Sequence, residues 1–179
     1  GTKRLVREGT HTTIEIGAGK AGEITNRTFV PLVRALIRAA KKEKVTALAV
    51  DASMFTFPAL ADWSEEFLGA RVAENMLMAD YEFTAYKSKK QDKTALKTVT
   101  IHGASKAFQK GVAEGIAIGE EVNACRTLAN TPGADMTPQT LAKAAKQAVT
   151  GLPVTVQTLT AAQMKKLGMG AILAVGKGS

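Results

Sequence analysis

The hydrophobic and polar positions of this chain follow two different spacings. At residues 10–17, THTTIEIG, β-branched residues alternate with polar ones, which predicts a strand. A glycine-rich loop, GAGKAG, follows at residues 17–22. A helical spacing then begins, capped by Thr25 or Asn26, with Pro31 expected in its first turn. The apolar residues on one face of this predicted helix are Phe29, Val33, Leu36, Ile37 and Ala40.

The middle of the chain repeats this order of strand and helix. Residues 45–51, VTALAVD, are almost all apolar, which predicts a strand buried on both faces. After the loop SMFTFPA, residues 59–83 have the spacing of a second amphipathic helix. Residues 87–93 form a charged loop, and residues 96–103, LKTVTIHG, alternate like a third strand. The expected core residues of the second helix are Trp63, Phe67, Val72 and Met76.

A long helix is predicted at residues 105–130, with glycines at four-residue intervals. Gly111, Gly115 and Gly119 share one face of it. Each glycine inside a helix costs about 1 kcal/mol relative to alanine. The stripe therefore predicts close packing of this helix, either within the fold or at a contact between domains or subunits.

The stretch NTPGADMTPQTLA, residues 130–142, marks a junction. Pro132 prevents continuation of the long helix, and Thr137 followed by Pro138 is a favoured helix start. The new helix has an apolar face and ends at Gly151. Beyond it we expect a strand at 152–159, a helix started by the capping box TAAQ at 160–163 and ended at Gly168, and a buried strand at 171–175. The apolar face consists of Leu141, Ala144, Ala145 and Ala148.

The predicted order is β-α-β-α-β-α-α-β-α-β. Such alternation indicates α/β architecture, with a mixed or largely parallel sheet flanked by helices.

Composition narrows the class of protein. Apolar residues make up 45% of the 179 residues, enough for a packed core, and no stretch is long enough to span a membrane. The first residues, GTKRLVREGT, lack the apolar segment of a signal peptide. The single cysteine, Cys125, excludes an internal disulfide, fits a reducing compartment and predicts a cytoplasmic protein. We expect Cys125 to be a small buried side chain.

The chain has a net charge of +8, and its charged residues are unevenly distributed along the sequence. Residues 1–50 and 87–110 each carry +6, residues 51–86 carry −6, and residues 111–179 carry +2. This pattern predicts a basic face and an acidic patch. A basic face attracts phosphate backbones, but it is equally typical of solvated surface or of subunit contacts.

The chain contains few sequence motifs that are typical of catalytic or ligand-binding sites. GAGKAG matches G-x-G-x-x-G through Gly17, Gly19 and Gly22, yet the helix starts several residues late. Glu43, at about the distance of a ribose-binding acid, is predicted at a helix end instead of at the tip of a strand, so a turn is favoured over a nucleotide site. The ending GKGS lacks the Gly-Lys-Ser order of a phosphate loop. Neither H-E-x-x-H nor G-x-S-x-G occurs. The residues alone therefore predict no catalytic or metal-binding side chain, and they leave substrate-binding residues unknown.

Residues 123–179 nevertheless resemble the leucyl aminopeptidase (cytosol aminopeptidase) family. Members carry a segment like N-x-x-R-x-L-x-N-x-P-x-N-x-M-T-P, followed by G-M-G-x-x-x-x-V-x-x-G-S. Asp135 departs from the pattern in a minor way. Residues 10–120 resemble the variable N-terminal domain more loosely, through the order of their elements. The matching residues are Asn123, Arg126, Leu128, Asn130, Pro132, Met136, Thr137, Pro138, Gly168, Met169, Gly170, Val175, Gly178 and Ser179.

The resemblance implies a domain organisation and an activity. Residues 1–104 would form a macro-like α/β domain, 105–130 a linking helix, and 131–179 the beginning of a second α/β domain, the catalytic one. The parent enzyme would use two divalent metal ions, manganese or zinc, to release N-terminal residues from peptides, and would assemble as a hexamer. The family's metal-ligand motifs, like V-G-K-G-x-T-F-D-S-G-G and N-T-D-A-E-G-R, are not found in this chain. Lys177 belongs instead to the segment that follows Gly168-Met169-Gly170, so we do not assign it a metal. We therefore expect a truncated chain that is inactive alone.

Two alternatives stay open. The basic segments 1–50 and 87–110 suit a nucleic-acid-binding module. A macro-like domain could instead bind an ADP-ribose-type ligand through GAGKAG.

Overall fold

The computed structural model describes residues 3–8, 11–88 and 96–177 and shows a mixed α/β fold, as predicted. The strands are β1 (Lys3–Glu8), β2 (His11–Ile16), β3 (Ala47–Asp51) and β4 (Thr98–His102). The helices are α1 (Asn26–Lys42), α2 (Glu65–Asp80), α3 (Lys106–Asn130), α4 (Pro138–Ala148), α5 (Ala161–Lys166) and α6 (Gly170–Gly176). The chain divides into two compact units, Gly1–Thr127 and Leu128–Ser179.

The described strands form two small sheets. β1 and β2 make an antiparallel hairpin, with Lys3 opposite Ile16. β3 and β4 pair in parallel, with Ala47 opposite Thr98. The parallel pairing of β3 and β4 agrees with the prediction. Strand β1 was not predicted, because its sequence KRLVRE is mostly charged.

The prediction that β3 is buried on both faces is wrong. Val50 is buried and Leu48 is half-buried, while Ala47 and Ala49 on the opposite face are exposed. The reason is that helices cover this described two-stranded sheet on one side, so that alternate residues of β3 remain accessible.

The core of the first unit lies between the β3–β4 sheet and helices α1 and α2. The predicted core positions on α1 are confirmed, with Phe29, Val33 and Ala40 fully buried and Ile37 nearly so. Val72 and Met76 on α2 are confirmed too, whereas Trp63 is half-buried. Phe67 was placed in the core wrongly, since 47% of it is exposed. It follows the Ser64 cap, in the first turn of a helix that starts later than predicted, and packs edge-to-face on Trp63.

Helix α1 begins with a capping box between Thr25 and Thr28. Pro31 consequently lies inside the helix and beyond its first turn, contrary to the prediction. Proline has no N–H, so the carbonyl of Arg27 lacks its usual helical partner there.

Helix α3 packs its glycine stripe directly on α2. A Cβ atom at Gly111 would lie 1.8 Å from the carbonyl oxygen of Glu66, and one at Gly115 would lie 2.3 Å from that of Ala70. Real Cβ atoms do not approach backbone so closely. The predicted close packing is therefore confirmed, and its partner is a helix of the same unit.

The second unit contains helices but no strand among its described residues. Thr137 caps α4, and Thr160 with Gln163 forms the predicted capping box of α5. Residues 152–159 are irregular and residues 171–175 belong to α6, so both predicted strands are wrong. A strand needs a neighbouring strand for its hydrogen bonds, whereas a helix satisfies its own backbone. The apolar face of α4 is likewise not buried.

Candidate functional site

The loops that follow the strands come together at one edge of the first unit. The short 3₁₀ turn after β2, Ala21–Glu23, touches the turn Pro58–Leu60 that follows β3. After β4, Gly103 lies against Asp51 at the end of β3. Ligands of α/β proteins usually bind at the carboxyl ends of the strands, so this loop cluster is a candidate ligand-binding site.

Asp51 is held in place by its own loop. Its Oδ1 accepts hydrogen bonds from the Ser53 hydroxyl, at 2.6 Å, and from the Ser53 backbone N–H, at 2.9 Å. These bonds, the hydroxyl first, lower the pKa of Asp51. Gly103 has a φ of +66°, and a Cβ there would lie 3.1 Å from Asp51 Oδ2. Asp51 thus stabilises the end of β3 and the turn that follows it.

GAGKAG forms a loop and a short 3₁₀ turn, so the predicted turn is confirmed. Gly19 has a φ of +84°, which explains a glycine there, but a Cβ at Gly22 would meet only open space. Lys20 pairs with Glu23 at 3.0 Å. Helix α1 starts only at Asn26, so its N-terminal N–H groups do not open onto the glycines as a phosphate site requires.

An aromatic cleft of about 400 Å³ lies beside this loop cluster. Trp63 contacts Phe29 edge-to-face at 5.4 Å between ring centroids, and Phe67 at 4.9 Å. The cleft is lined by aromatic and aliphatic side chains together with Thr56 and Glu65. Glu65 accepts a hydrogen bond of 2.6 Å from the Ser105 hydroxyl. The cleft therefore provides a mostly apolar surface and one carboxylate, Glu65, which already accepts a hydrogen bond.

Two residues of the C-terminal motif, Asn123 and Arg126, close the end of α2. Arg126 Nη1 donates to the Met78 carbonyl and to Asn123 Oδ1, both at 2.9 Å, while Asn123 Nδ2 donates to the Leu77 carbonyl at 3.1 Å. The guanidinium lies 4.0 Å from the centroid of the Tyr81 ring. We call this set of contacts the Asn123–Arg126 clasp. It provides a donor for the Met78 carbonyl at the helix end and a second donor for the Leu77 carbonyl, which also accepts from the Tyr81 N–H.

The other described motif residues shape the backbone of the second unit. The carbonyl of Pro132 accepts from the N–H groups of Asp135 and Met136, at 2.9 and 2.8 Å, which forms the turn before α4. Gly168 has a φ of +72° after α5. Lys177 ends α6, while Gly178 and Ser179 lie outside the described residues.

The described residues do not fit a metal centre. Within 3–8, 11–88 and 96–177, no three histidine, cysteine, aspartate or glutamate side chains come together. Cys125 is exposed, so its predicted burial is wrong. The reason is that α3 packs on α2 through its glycine face and Cys125 lies off that face.

Most acidic side chains of residues 51–86 are bound internally. Lys41 lies between Asp80, at 3.2 Å, and Glu82, at 2.6 Å. Burial lowers the pKa of Lys41, but the hydrogen bonds to the two carboxylates outweigh this effect and raise it. Glu66 pairs with Lys110 at 2.7 Å and raises the pKa of Lys110. The acidic patch predicted from the charge pattern is therefore largely neutralised.

In the part of the chain that the structure describes, we find no helix with the length and hydropathy needed to cross a membrane.

Solved structures define the class of fold first. The chain superposes on the bottromycin maturation enzyme BotP with a TM-score of 0.75 and 22% identity, covering 94% of this chain and 35% of that one. A mutant of tomato leucine aminopeptidase gives the same TM-score and identity, with 94% and 33% coverage. At this identity the likeness shows that the chain shares their α/β fold.

Sequence comparison supplies the family. Residues 7–90 match the N-terminal domain of the cytosol aminopeptidase family, and residues 123–179 match its catalytic domain. A probable cytosol aminopeptidase of Roseiflexus castenholzii is 33% identical over 148 residues, which are 80% of this chain and 30% of that protein. One from Rhizobium etli is 34% identical over 175 residues, with 93% and 33% coverage. The chain belongs to the cytosol aminopeptidase family, and it spans about a third of the length of these curated relatives.

Proposed function

We propose that the chain is a portion of a leucyl aminopeptidase, a metallo-exopeptidase that releases N-terminal amino acids from peptides. The observation that carries this proposal is the order of the two domain matches, N-terminal domain first and catalytic domain second, with α3 running between them. We propose residues 1–104 as the N-terminal macro-like domain, 105–130 as the linking helix, and 131–179 as the opening of the catalytic domain.

The further properties of the whole enzyme are proposed on the same basis. They are two divalent metal ions, manganese or zinc, a preference for leucine, hexameric assembly and a cytoplasmic location. A structure of BotP is described as a complex with Mn; its TM-score to this chain is 0.64 at 25% identity. The metal ligands of the enzyme would be residues other than those described here, which do not form a cluster for a metal.

In this proposal, the contacts between α3 and α2 have a structural role. The glycine stripe and the Asn123–Arg126 clasp fix α3 against α2 at two separate places.

The test is hydrolysis of leucine-7-amido-4-methylcoumarin by the purified 179-residue chain, with manganese or zinc added. We expect no release above the blank, because the described histidine, cysteine, aspartate and glutamate side chains form no cluster for a metal ion. The full-length Rhizobium etli relative, assayed identically, is the positive control. Activity that co-elutes with the chain, disappears with chelator and returns with manganese would show that the chain carries its own metal site.

A further inference from the structure

Met78 of α2 is hydrogen-bonded to both of the helices beside it. Its sulfur accepts from Arg34 Nη2 of α1 at 3.3 Å, and its carbonyl accepts from Arg126 Nη1 of α3 at 2.9 Å. The side chain of Met78 is half-buried. In this chain the thioether is therefore held against a charged donor and can still be reached by a solute as small as a peroxide.

The guanidinium of Arg34 is anchored by a buried amide. Its Nε donates to Oδ1 of Asn75 at 2.9 Å, and Asn75 is only 1% exposed. The amide is fixed in turn, because its Nδ2 donates to the Arg71 carbonyl at 2.8 Å and to Glu74 Oε1 at 3.1 Å. Nη2 of Arg34 is thus directed at the Met78 sulfur by contacts that do not involve Met78.

The acceptor that this charged donor meets is a weak one. A thioether sulfur accepts hydrogen bonds poorly. Within residues 3–8, 11–88 and 96–177, the side-chain partners of Arg34 are the Asn75 amide and this sulfur, and no carboxylate pairs with it. The oxygen of a methionine sulfoxide carries partial negative charge, and hydrogen bonds from a cation to such an oxygen are strong. The site therefore suits the oxidised form of Met78 better than the reduced form.

Met76, two residues earlier on α2, has the opposite environment. It is 7% exposed and belongs to the apolar core of the first unit. Oxidation there would place a polar sulfoxide among aliphatic and aromatic side chains, which destabilises a core. Of these two methionines, only Met78 has a donor placed to receive the new oxygen.

We propose that Met78 is a site of oxidation by peroxides and that Arg34 binds the resulting sulfoxide, so that oxidation strengthens the contact between α1 and α2. A lone pair of the sulfur attacks one oxygen of hydrogen peroxide, so that an S–O bond forms and the O–O bond breaks. The second oxygen leaves as hydroxide and takes the proton of the transferred oxygen, which gives water; the sulfur is oxidised and the peroxide is reduced. The flexible methionine side chain can turn the new oxygen towards Nη2 of Arg34. This property is separate from the proposed aminopeptidase activity.

The experiment treats the 179-residue chain with dilute hydrogen peroxide until tandem mass spectrometry shows oxidation of Met78 but not of Met76. Urea unfolding followed by the fluorescence of Trp63 gives the midpoint before and after treatment. Because the new hydrogen bond is charge-assisted, the midpoint after treatment, relative to that before, should be about 0.5 M higher in the parent chain than in Arg34→Ala. Arg38→Ala, at an exposed position one turn further along α1, is the matched control and should respond like the parent chain. Each variant is compared with itself, so effects of oxidation at the other methionines cancel.

A second pair of variants tests the same contact without an oxidant. Met78→Gln supplies an amide oxygen in place of the sulfoxide oxygen, whereas Met78→Leu keeps the volume of the side chain and has no acceptor. With Arg34 present, Met78→Gln should unfold at a higher urea concentration than Met78→Leu, and this order should reverse in the Arg34→Ala background. Equal shifts of the midpoint on oxidation in the parent chain and in Arg34→Ala would overturn the proposal. So would oxidation of Met76 before Met78, or a Met78→Leu variant more stable than Met78→Gln while Arg34 is present.

Discussion

Arg126 contacts three different groups at once: a carbonyl of α2, the amide of Asn123 and the face of Tyr81. A planar guanidinium can donate in its plane while its face lies against a ring, which the ammonium of lysine cannot do. The family motif drew attention to Asn123 and Arg126. It did not identify Tyr81 or the α2 carbonyls, because these lie more than 40 positions away along the chain.

The clasp yields a prediction at this scale. Arg126→Ala should lower the free energy of unfolding of the first unit by about 2 kcal/mol, since it removes a charge-assisted hydrogen bond and a cation–π contact. Arg126→Lys should recover only part of this loss. Urea unfolding followed by the fluorescence of Trp63, the single tryptophan, measures both. Arg27→Ala, at an exposed position of α1, is the matched control, and a lysine variant as stable as the parent chain would contradict the role of the guanidinium.

At the scale of elements, helices α1 to α5 and the caps of three of them were predictable. Helix α6 was predicted as a strand, strand β1 was missed, and the strand expected at 152–159 does not form. The caps at Thr25, Thr137 and Thr160 depend on bonds to residues three positions away. A sequence window contains both partners of such a bond. The strands expected at 152–159 and 171–175 depended instead on pairing with distant segments, which a local apolar pattern does not reveal.

The glycine stripe of α3 gives the second structural prediction. Gly115→Ala should destabilise the first unit by about 1–3 kcal/mol, because overpacking against the α2 backbone outweighs the gain in helix propensity. Gly119→Ala should cost less, since its Cβ would meet the Leu77 side chain, which can move, at 3.0 Å. Gly22→Ala, where a Cβ meets open space, is the control. If urea unfolding shows that Gly119→Ala lowers the free energy of unfolding more than Gly115→Ala does, the result contradicts this packing of α3 on α2.

At the scale of the whole molecule, the two units differ in how much they bury. The first has a core of aromatic and aliphatic side chains around Phe29 and Phe55. In the second, none of the helices α4 to α6 has a buried residue, and Leu152, Leu167 and Val175 are 58%, 65% and 79% exposed. The apolar pattern of α4 predicted the helix correctly, but a pattern cannot say whether a surface exists to cover its apolar face, which is not buried.

Hydrogen exchange should show this difference. Amides of α4, α5 and α6 should exchange at least about tenfold faster than those of α1 and α2, since local opening costs little where few apolar contacts are lost. Mass spectrometry of peptic fragments measures both units in the same sample, so the first unit is the internal control. Equal protection in the two units would mean that the second is stabilised by contacts beyond those seen within it.

The contact between α3 and α2 also has a genetic consequence. An alanine at Gly111 or Gly115 would collide with carbonyl oxygens of Glu66 and Ala70, which every amino acid carries. A loss of function caused by a larger side chain in a core can often be suppressed by a smaller one opposite it. Here no substitution at the facing positions on α2 removes the colliding atom, so revertants of such mutants should restore the glycine itself.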